Sequence, residues 1–323
     1  MFTFAKRALK QKLGFDALHN RVDVLHHRID DLKMLSAKVL IDHMNTCRAY
    51  NSIHEVEFKV FSQFGDDGII QYLIHNAEIE VEKFVEFGVE NYSESNTRFL
   101  LRNNNWQGLV MDASAEYIQQ IKRQEYYWKH DLKAVHCWVD RENINTVIHD
   151  NGFQGALGLL SIDIDGNDYW IWESLETVKP VIVIVEYNSV FGDQHAITIP
   201  YDRGFNRTKA HYSNLYWGAS LRALCMLAEK KGYIFVGSNS SGNNAYFVKQ
   251  DKIGRLRACT VQEGYVKSRF RDSRDAEERL TFVAGEERLK IIEDMPVYDL
   301  EKKRLVKIKD LDGPDNITEA GVI

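Results

Sequence analysis

Seven short apolar runs, with a helix-length segment between most neighbouring pairs, limit this chain more than any other feature. They are KFVEFGV (83–89), GLVMDA (108–113), KAVHCWV (133–139), ALGLLSIDI (156–164), VIVIVEY (181–187), YIFVGS (233–238) and NAYFVK (244–249). Continuous rather than alternating apolar character marks strands buried on both faces. The segments between them, among them 65–77, 114–128 and 219–231, are amphipathic at helical spacing. A mostly parallel sheet covered by helices on both faces follows. The last two runs are separated only by NSSGN, a hairpin signal, so the sheet ends antiparallel. Ligands of such sheets bind beyond the carboxyl ends of the strands, near the point where strand order reverses.

The 323 residues, 44% apolar, suffice for one large α/β domain with appendages. Residues 1–50 contain no Pro and a single Gly, Gly14, and read as helix. From Leu18 the positions Leu18, Val22, Leu25, Ile29, Leu32, Ser36 and Val39 follow the 4-3 spacing of a coiled-coil seam, which suggests self-association. Residues 51–255 carry the sheet. Residues 256–323 are a charge-dense appendage, read as helical or irregular, with the last dozen residues frayed.

A net charge of −6 argues against a nucleic-acid partner. Cys47, Cys137, Cys225 and Cys259 form no CxxC pair, which gives neither a zinc signature nor a disulfide framework and points to a reducing cytoplasm. No apolar run reaches the 18 residues of a membrane span, and the start lacks the apolar core of a secretory signal. That start, MFTFAKRALKQKLGF, is basic and amphipathic; it is a solvated helical end or a peripheral contact with the inner face of a membrane.

The first strand leads into VEFGVENYSESN, an E-x-G-x-E turn rather than the GxGxxG of a dinucleotide site. Gly88 permits a ligand close to the backbone, whereas Glu86 discourages a pyrophosphate. Asn96, where the next helix begins, is counted with this turn. The second strand ends in Asp112, 24 residues beyond Gly88, a position that commonly accepts hydrogen bonds from ribose hydroxyls. Glu86, Gly88 and Asp112 together favour a nucleoside with a cationic tail, the character of S-adenosylmethionine.

The stretches FVEFGVENYSESNTRFLL, GLVMDAS, LLSIDIDGNDYWIW and VIVEYN resemble the class I S-adenosylmethionine-dependent methyltransferases, and within them the FkbM-type group. The resemblance covers roughly residues 60–250. It implies a Rossmann-like sheet of seven strands with an antiparallel final strand, and O-methylation of a sugar or another hydroxyl. It also implies that FSQFGDDGII (61–70) lies over the cofactor, which makes Gln63 a cofactor-binding candidate and Asp67 either that or a helix cap. Glu90 stands where many class I enzymes have a second glycine.

On the same reading SIDID ends the fourth strand, where the methyl is transferred. Asp163 and Asp165 share a face by strand alternation, and Glu186 and Asn188 end the fifth strand. These hard oxygen donors suit a divalent cation, Mg²⁺ or Mn²⁺. Direct contact of the aspartates with substrate or cofactor, or capping of the next helix, are the other readings; Asp168 reads as that cap. His211, in RTKAHYSNLYWGASL, and His195, in FGDQHAITIPYD, are the candidate general bases, with Asp163 also at the chemistry. The acceptor expected is a sugar or glycan. A metal-dependent glycosyltransferase using Asp163 and Asp165 as a D-x-D pair is the rival enzyme, and an inactive oligomeric scaffold the rival outside catalysis.

Overall fold

The computed structural model describes residues 15–46 and 50–313. The chain divides into two compact units, residues 1–48 and 49–323. The basic start and the last ten residues, where the membrane contact and the frayed end were expected, lie outside the described residues.

In the first unit, Phe15–Thr46 is one helix, α1, of 32 residues and about 48 Å in length. Leu18, Val22, Leu25, Ile29, Leu32 and Val39 of the expected seam are all exposed to solvent.

The second unit is built on a seven-stranded sheet of order β3-β2-β1-β4-β5-β8-β7. Its members are β1 (Lys83–Phe87), β2 (Gln107–Asp112), β3 (Leu132–His136), β4 (Gly155–Ile162), β5 (Val178–Glu186), β7 (Tyr233–Ser238) and β8 (Asn244–Lys249). The first five are parallel, β8 runs antiparallel to β5, and β7 runs antiparallel to β8. This is the seven-stranded, Rossmann-like arrangement expected from the spacing of the apolar runs. The chain enters at β1, moves outward to β3, and returns to β4 on the other side of β1. The carboxyl ends of β1 and β4 are therefore the switch point.

Burial explains the unbroken apolar runs. Every residue of β5 is buried except Lys179. Helices α2 (Asp66–Asn76), α3 (Ala115–Lys122), α4 (Ile144–Asp150), α5 (Asp168–Ser174) and α6 (Leu221–Lys231) carry apolar faces to the sheet. Trp172 of α5 packs its ring 5.0 Å from that of Phe247 on β8. Trp170 is half-buried and donates its indole N–H to the Ile199 carbonyl at 2.9 Å. Both tryptophans thus fix α5 rather than face a ligand.

The C-terminal segment differs from expectation. Pro296–Asp299 (β9) and Arg304–Lys307 (β10) form a hairpin that pairs through β9 with β6 (Ile197–Thr198). Ile197, Ile199, Leu215, Ile292, Val297 and Ile308 form a satellite core under it. Strands of two to four residues are too short to show alternation, which is why the pattern did not reveal them.

Candidate active site at the strand ends

The carboxyl ends of β1, β2, β4 and β5 open into a cavity of about 590 Å³, lined also by the β7–β8 hairpin, the loop before α2 and the C-terminal segment. Glu86, Gly88, Asn96, Asp112, Asp163, Asp165, Glu186 and Gln63 all line it, so eight of the expected site residues converge on one space.

The turn after β1 is tightly specified. Gly88 has φ +78°, and a Cβ built on it would stand 1.5 Å from the carbonyl oxygen of Asp163. Its N–H donates to the Met111 carbonyl at 3.0 Å. Glu86 is buried, and its carboxylate accepts from the backbone N–H groups of Asn96 (2.9 Å) and Thr97 (3.1 Å) and from the Thr97 hydroxyl. Burial raises its pKa against those bonds. Glu86 therefore shapes the turn through both oxygens. Asn96 in turn donates from Nδ2 to Ser161 Oγ at 3.1 Å, tying the turn to β4.

Asp112 accepts from the N–H of Glu90 at 2.7 Å on one oxygen and from that of Ser114 at 2.7 Å on the other. Each oxygen keeps a lone pair. Glu90 reaches this bond in the left-handed conformation, φ 48°, so the residue that replaces a second glycine adopts the backbone a glycine would. Gln63 is exposed at the cavity mouth, and Asp67 holds its loop: one Asp67 oxygen accepts from the N–H groups of Val60, Phe61 and Ser62 at 2.7–2.8 Å. Desolvation nevertheless pushes the Asp67 carboxyl up to about 6.

At the ends of β4 and β5, Asp163 and Glu186 meet. Their carboxyl groups hydrogen-bond to each other; burial first, then the charge of Asp165 on Asp163 and that of Asp163 on Glu186, holds both well above the usual carboxylate range. Asp168 caps the turn between β4 and α5, accepting from Ile164 and Gly166 N–H at 2.9 Å each, with its carboxyl pushed up by burial to about 6.

Asp165 does not join the pair. The strand stops at Ile162, and Asp165 lies at φ 56°, so alternation no longer places it on the face of Asp163. Arg207 takes it instead, with Nη1 2.8 Å from Asp165 and Nη2 2.8 Å from Asp272. Asn188 is likewise withdrawn: its Nδ2 donates to the carbonyls of Leu215 and Trp217, and its Oδ1 accepts from Val190. Among the described residues no three His, Cys, Asp or Glu side chains are grouped to hold a metal ion. The donors therefore do not fit the four-ligand divalent site expected of Asp163, Asp165, Glu186 and Asn188, and the D-x-D cradle fails for the same reason.

Neither histidine lines the cavity. His211 Nδ1 meets Ser213 Oγ at 2.8 Å, its ring lies on Tyr212, and burial lowers its pKa. His195 lies 3.4 Å from Asp312. The two histidines expected as bases therefore stand outside the lining of the cavity. Lining residues that the sequence reading passed over are Trp138, Asn243, Asn244 and Phe270. The paired asparagines in SGNNAYF, polar residues at the start of an apolar run, were the available signal.

No protein-family model and no curated protein matches the chain. Solved structures do. One is the N-terminal domain of EvdMO1 in the presence of SAH and D-fucose, at 12% identity over 69% of this chain and 95% of that one, TM-score 0.38. Another is an S-adenosylmethionine-dependent methyltransferase from Clostridium acetobutylicum ATCC 824, at 9% identity over 57% and 90%, TM-score 0.37. The fold is assigned on the strand order of the chain itself.

Proposed function

We propose that this protein is an S-adenosylmethionine-dependent O-methyltransferase acting on a hydroxyl of a sugar or glycan. The observation that carries the reading is the cavity at the switch point, where Gly88 is pressed against β4 and Asp112 offers lone pairs from the end of β2. These residues fit the cofactor. A side chain at position 88 would fill the cradle, Asp112 suits vicinal ribose hydroxyls, and Met111, Ala113, Trp138 and Val139 offer an apolar slot for a flat ring. When bound, S-adenosylmethionine supplies an activated methyl on its sulfonium.

The protein's own task is then to take a proton from a poorly nucleophilic hydroxyl. The Asp163–Glu186 pair suits it, because the two adjoining carboxyls hold a proton between them and burial makes the remaining oxygen a stronger base than an exposed carboxylate. General-base assistance of this kind contributes roughly 10²–10⁴-fold. The Asp168 cap positions the pair by fixing the turn that carries Asp163.

The test is a titration with S-adenosylhomocysteine followed by turnover on sugar acceptors. We expect saturable binding by wild type, and Asp163→Asn to bind S-adenosylhomocysteine while losing turnover about 10²-fold or more. Binding of UDP-sugars without S-adenosylhomocysteine would overturn the reading.

A further inference from the structure

The cavity holds a surplus of hydrogen-bond acceptors where β5 meets β8. Glu186 and Asn244 face each other in register across these antiparallel strands. Both line the cavity, and both are more than nine-tenths buried. Glu186 Oε2 and Asn244 Oδ1 meet no amide, hydroxyl or guanidinium donor among the described residues.

The Asn244 amide is not free to turn. Its Nδ2 donates to Asp66 Oδ1 at 2.8 Å, and the same oxygen accepts from Asn239 Nδ2 and the Tyr246 hydroxyl. A carboxylate oxygen paired in this way only accepts, so the nitrogen must face Asp66 and the carbonyl oxygen must face away from it. Asp66, fully buried behind the hairpin, thereby positions Asn244 as an acceptor. Unpaired buried acceptors are costly, about 1–3 kcal/mol each, unless a ligand supplies donors.

Charge narrows the ligand further. Eight carboxyl side chains, Asp163 and Glu186 sharing one proton among them, line the cavity against one guanidinium, that of Arg207, which is itself engaged by Asp165 and Asp272. S-adenosylmethionine, with a net charge of one positive, offsets only part of this excess. A phosphate would meet an excess of carboxylates and a single guanidinium already engaged by two of them. A divalent ion would find too few free oxygens, since Asp165 and Asn188 are engaged elsewhere. An ammonium group brings three donors, no acceptor and a positive charge.

We infer that the acceptor carries a protonated amine, lodged between Glu186 and Asn244, beside the hydroxyl that is methylated, and carries no phosphate. This rests on the methyltransferase reading above and names its substrate class as an amino-substituted sugar.

The experiment is a titration of the protein saturated with S-adenosylhomocysteine. The probes are glucosamine, N-acetylglucosamine, glucose, glucosamine 6-phosphate and Mg²⁺ alone. Because charge-assisted hydrogen bonds are about twice as strong as neutral ones, glucosamine should bind about tenfold or more tightly than its acetylated form. Glu186→Gln should erase that preference, and Asn244→Leu serves as a second variant if the first fails to bind S-adenosylhomocysteine. Equal binding of the amine and the acetamide, binding of neither at the highest soluble concentration, tighter binding of the phosphate, or displacement of glucosamine by Mg²⁺ would each overturn the inference. Failure of the wild type to bind S-adenosylhomocysteine would instead remove the underlying enzyme assignment.

Discussion

Gly88 and Gly155 make a controlled pair for testing how the first turn is specified. Both have left-handed backbone, φ +78° and +88°, so alanine at either pays the same conformational penalty, about 1–2 kcal/mol. They differ in surroundings. A Cβ at 155 meets nothing within 4 Å, whereas one at 88 stands 1.5 Å from the Asp163 carbonyl oxygen and 2.7 Å from its carbon. Both obstructing atoms are backbone atoms of Asp163, one residue past the end of β4, so relief requires the carboxyl ends of β1 and β4 to separate. Overpacking of this kind costs about 1–3 kcal/mol more. Gly88→Ala should therefore lose about 2–5 kcal/mol against about 1–2 for Gly155→Ala. For a domain of this size each kcal/mol lowers Tm by about 2–4 °C, so the first variant should melt roughly 4–20 °C lower. Calorimetry of both variants, with titration of S-adenosylhomocysteine, measures the difference. Gly88→Ala should also bind the nucleoside far more weakly, because the cradle is part of the site. Equal melting temperatures and unchanged binding in the two variants would refute the reasoning.

Three further outcomes are expected. Turnover should persist in excess EDTA, because the donors do not fit a divalent site; full loss, restored by Mg²⁺ or Mn²⁺, would reinstate a metal. The Asp67 carboxyl, raised from 3.8 to about 6 by burial, holds its proton more tightly in the folded chain; its stabilising contribution is complete below pH 4 and is lost as pH rises to about 6. Asp67→Asn should remove that slope, up to about 3 kcal/mol, and urea melts of variant and wild type that stay parallel from pH 4 to pH 7 would count against it. Self-association through α1 remains our proposal for the exposed Leu25 and Leu32, so Leu25→Glu with Leu32→Glu should reduce the mass seen by light scattering to that of one chain, and an unchanged mass would argue against a coiled coil.

The main sheet was legible because parallel strands are buried on both faces, so VIVIVEY and GLVMDA announce themselves without their neighbours. The acids at the strand ends were legible for a related reason: a carboxylate closing an apolar run needs a compensating partner. Which partner compensates each acid was not, because it depends on chain separations of tens of residues. Arg207 reaches back 42 residues to Asp165 and forward 65 to Asp272. Asn188 turns toward carbonyls of a loop that no periodicity places. Asp163 and Asp165 were read as sharing a face because alternation was carried past Ile162, where the strand had ended. The histidines are titratable loop residues, yet neither side chain lines the cavity, although Phe205 and Arg207 from the segment before His211 do.

The position of β8 between β5 and β7 has a consequence for synthesis. β5 is complete at Glu186, but the strand that pairs with its open side begins only at Asn244. At about 5–20 residues per second, a ribosome leaves that edge unpaired for roughly 3–11 s. The exposed edge is VIVIV, the kind of apolar β-branched sequence that pairs readily with a neighbouring nascent chain. Lys179 and Pro180 stand at its start, a charge and a residue without an N–H, both of which discourage such pairing. The same insertion that completes the acceptor side of the cavity therefore makes the yield of folded protein depend on how quickly residues 187–249 emerge.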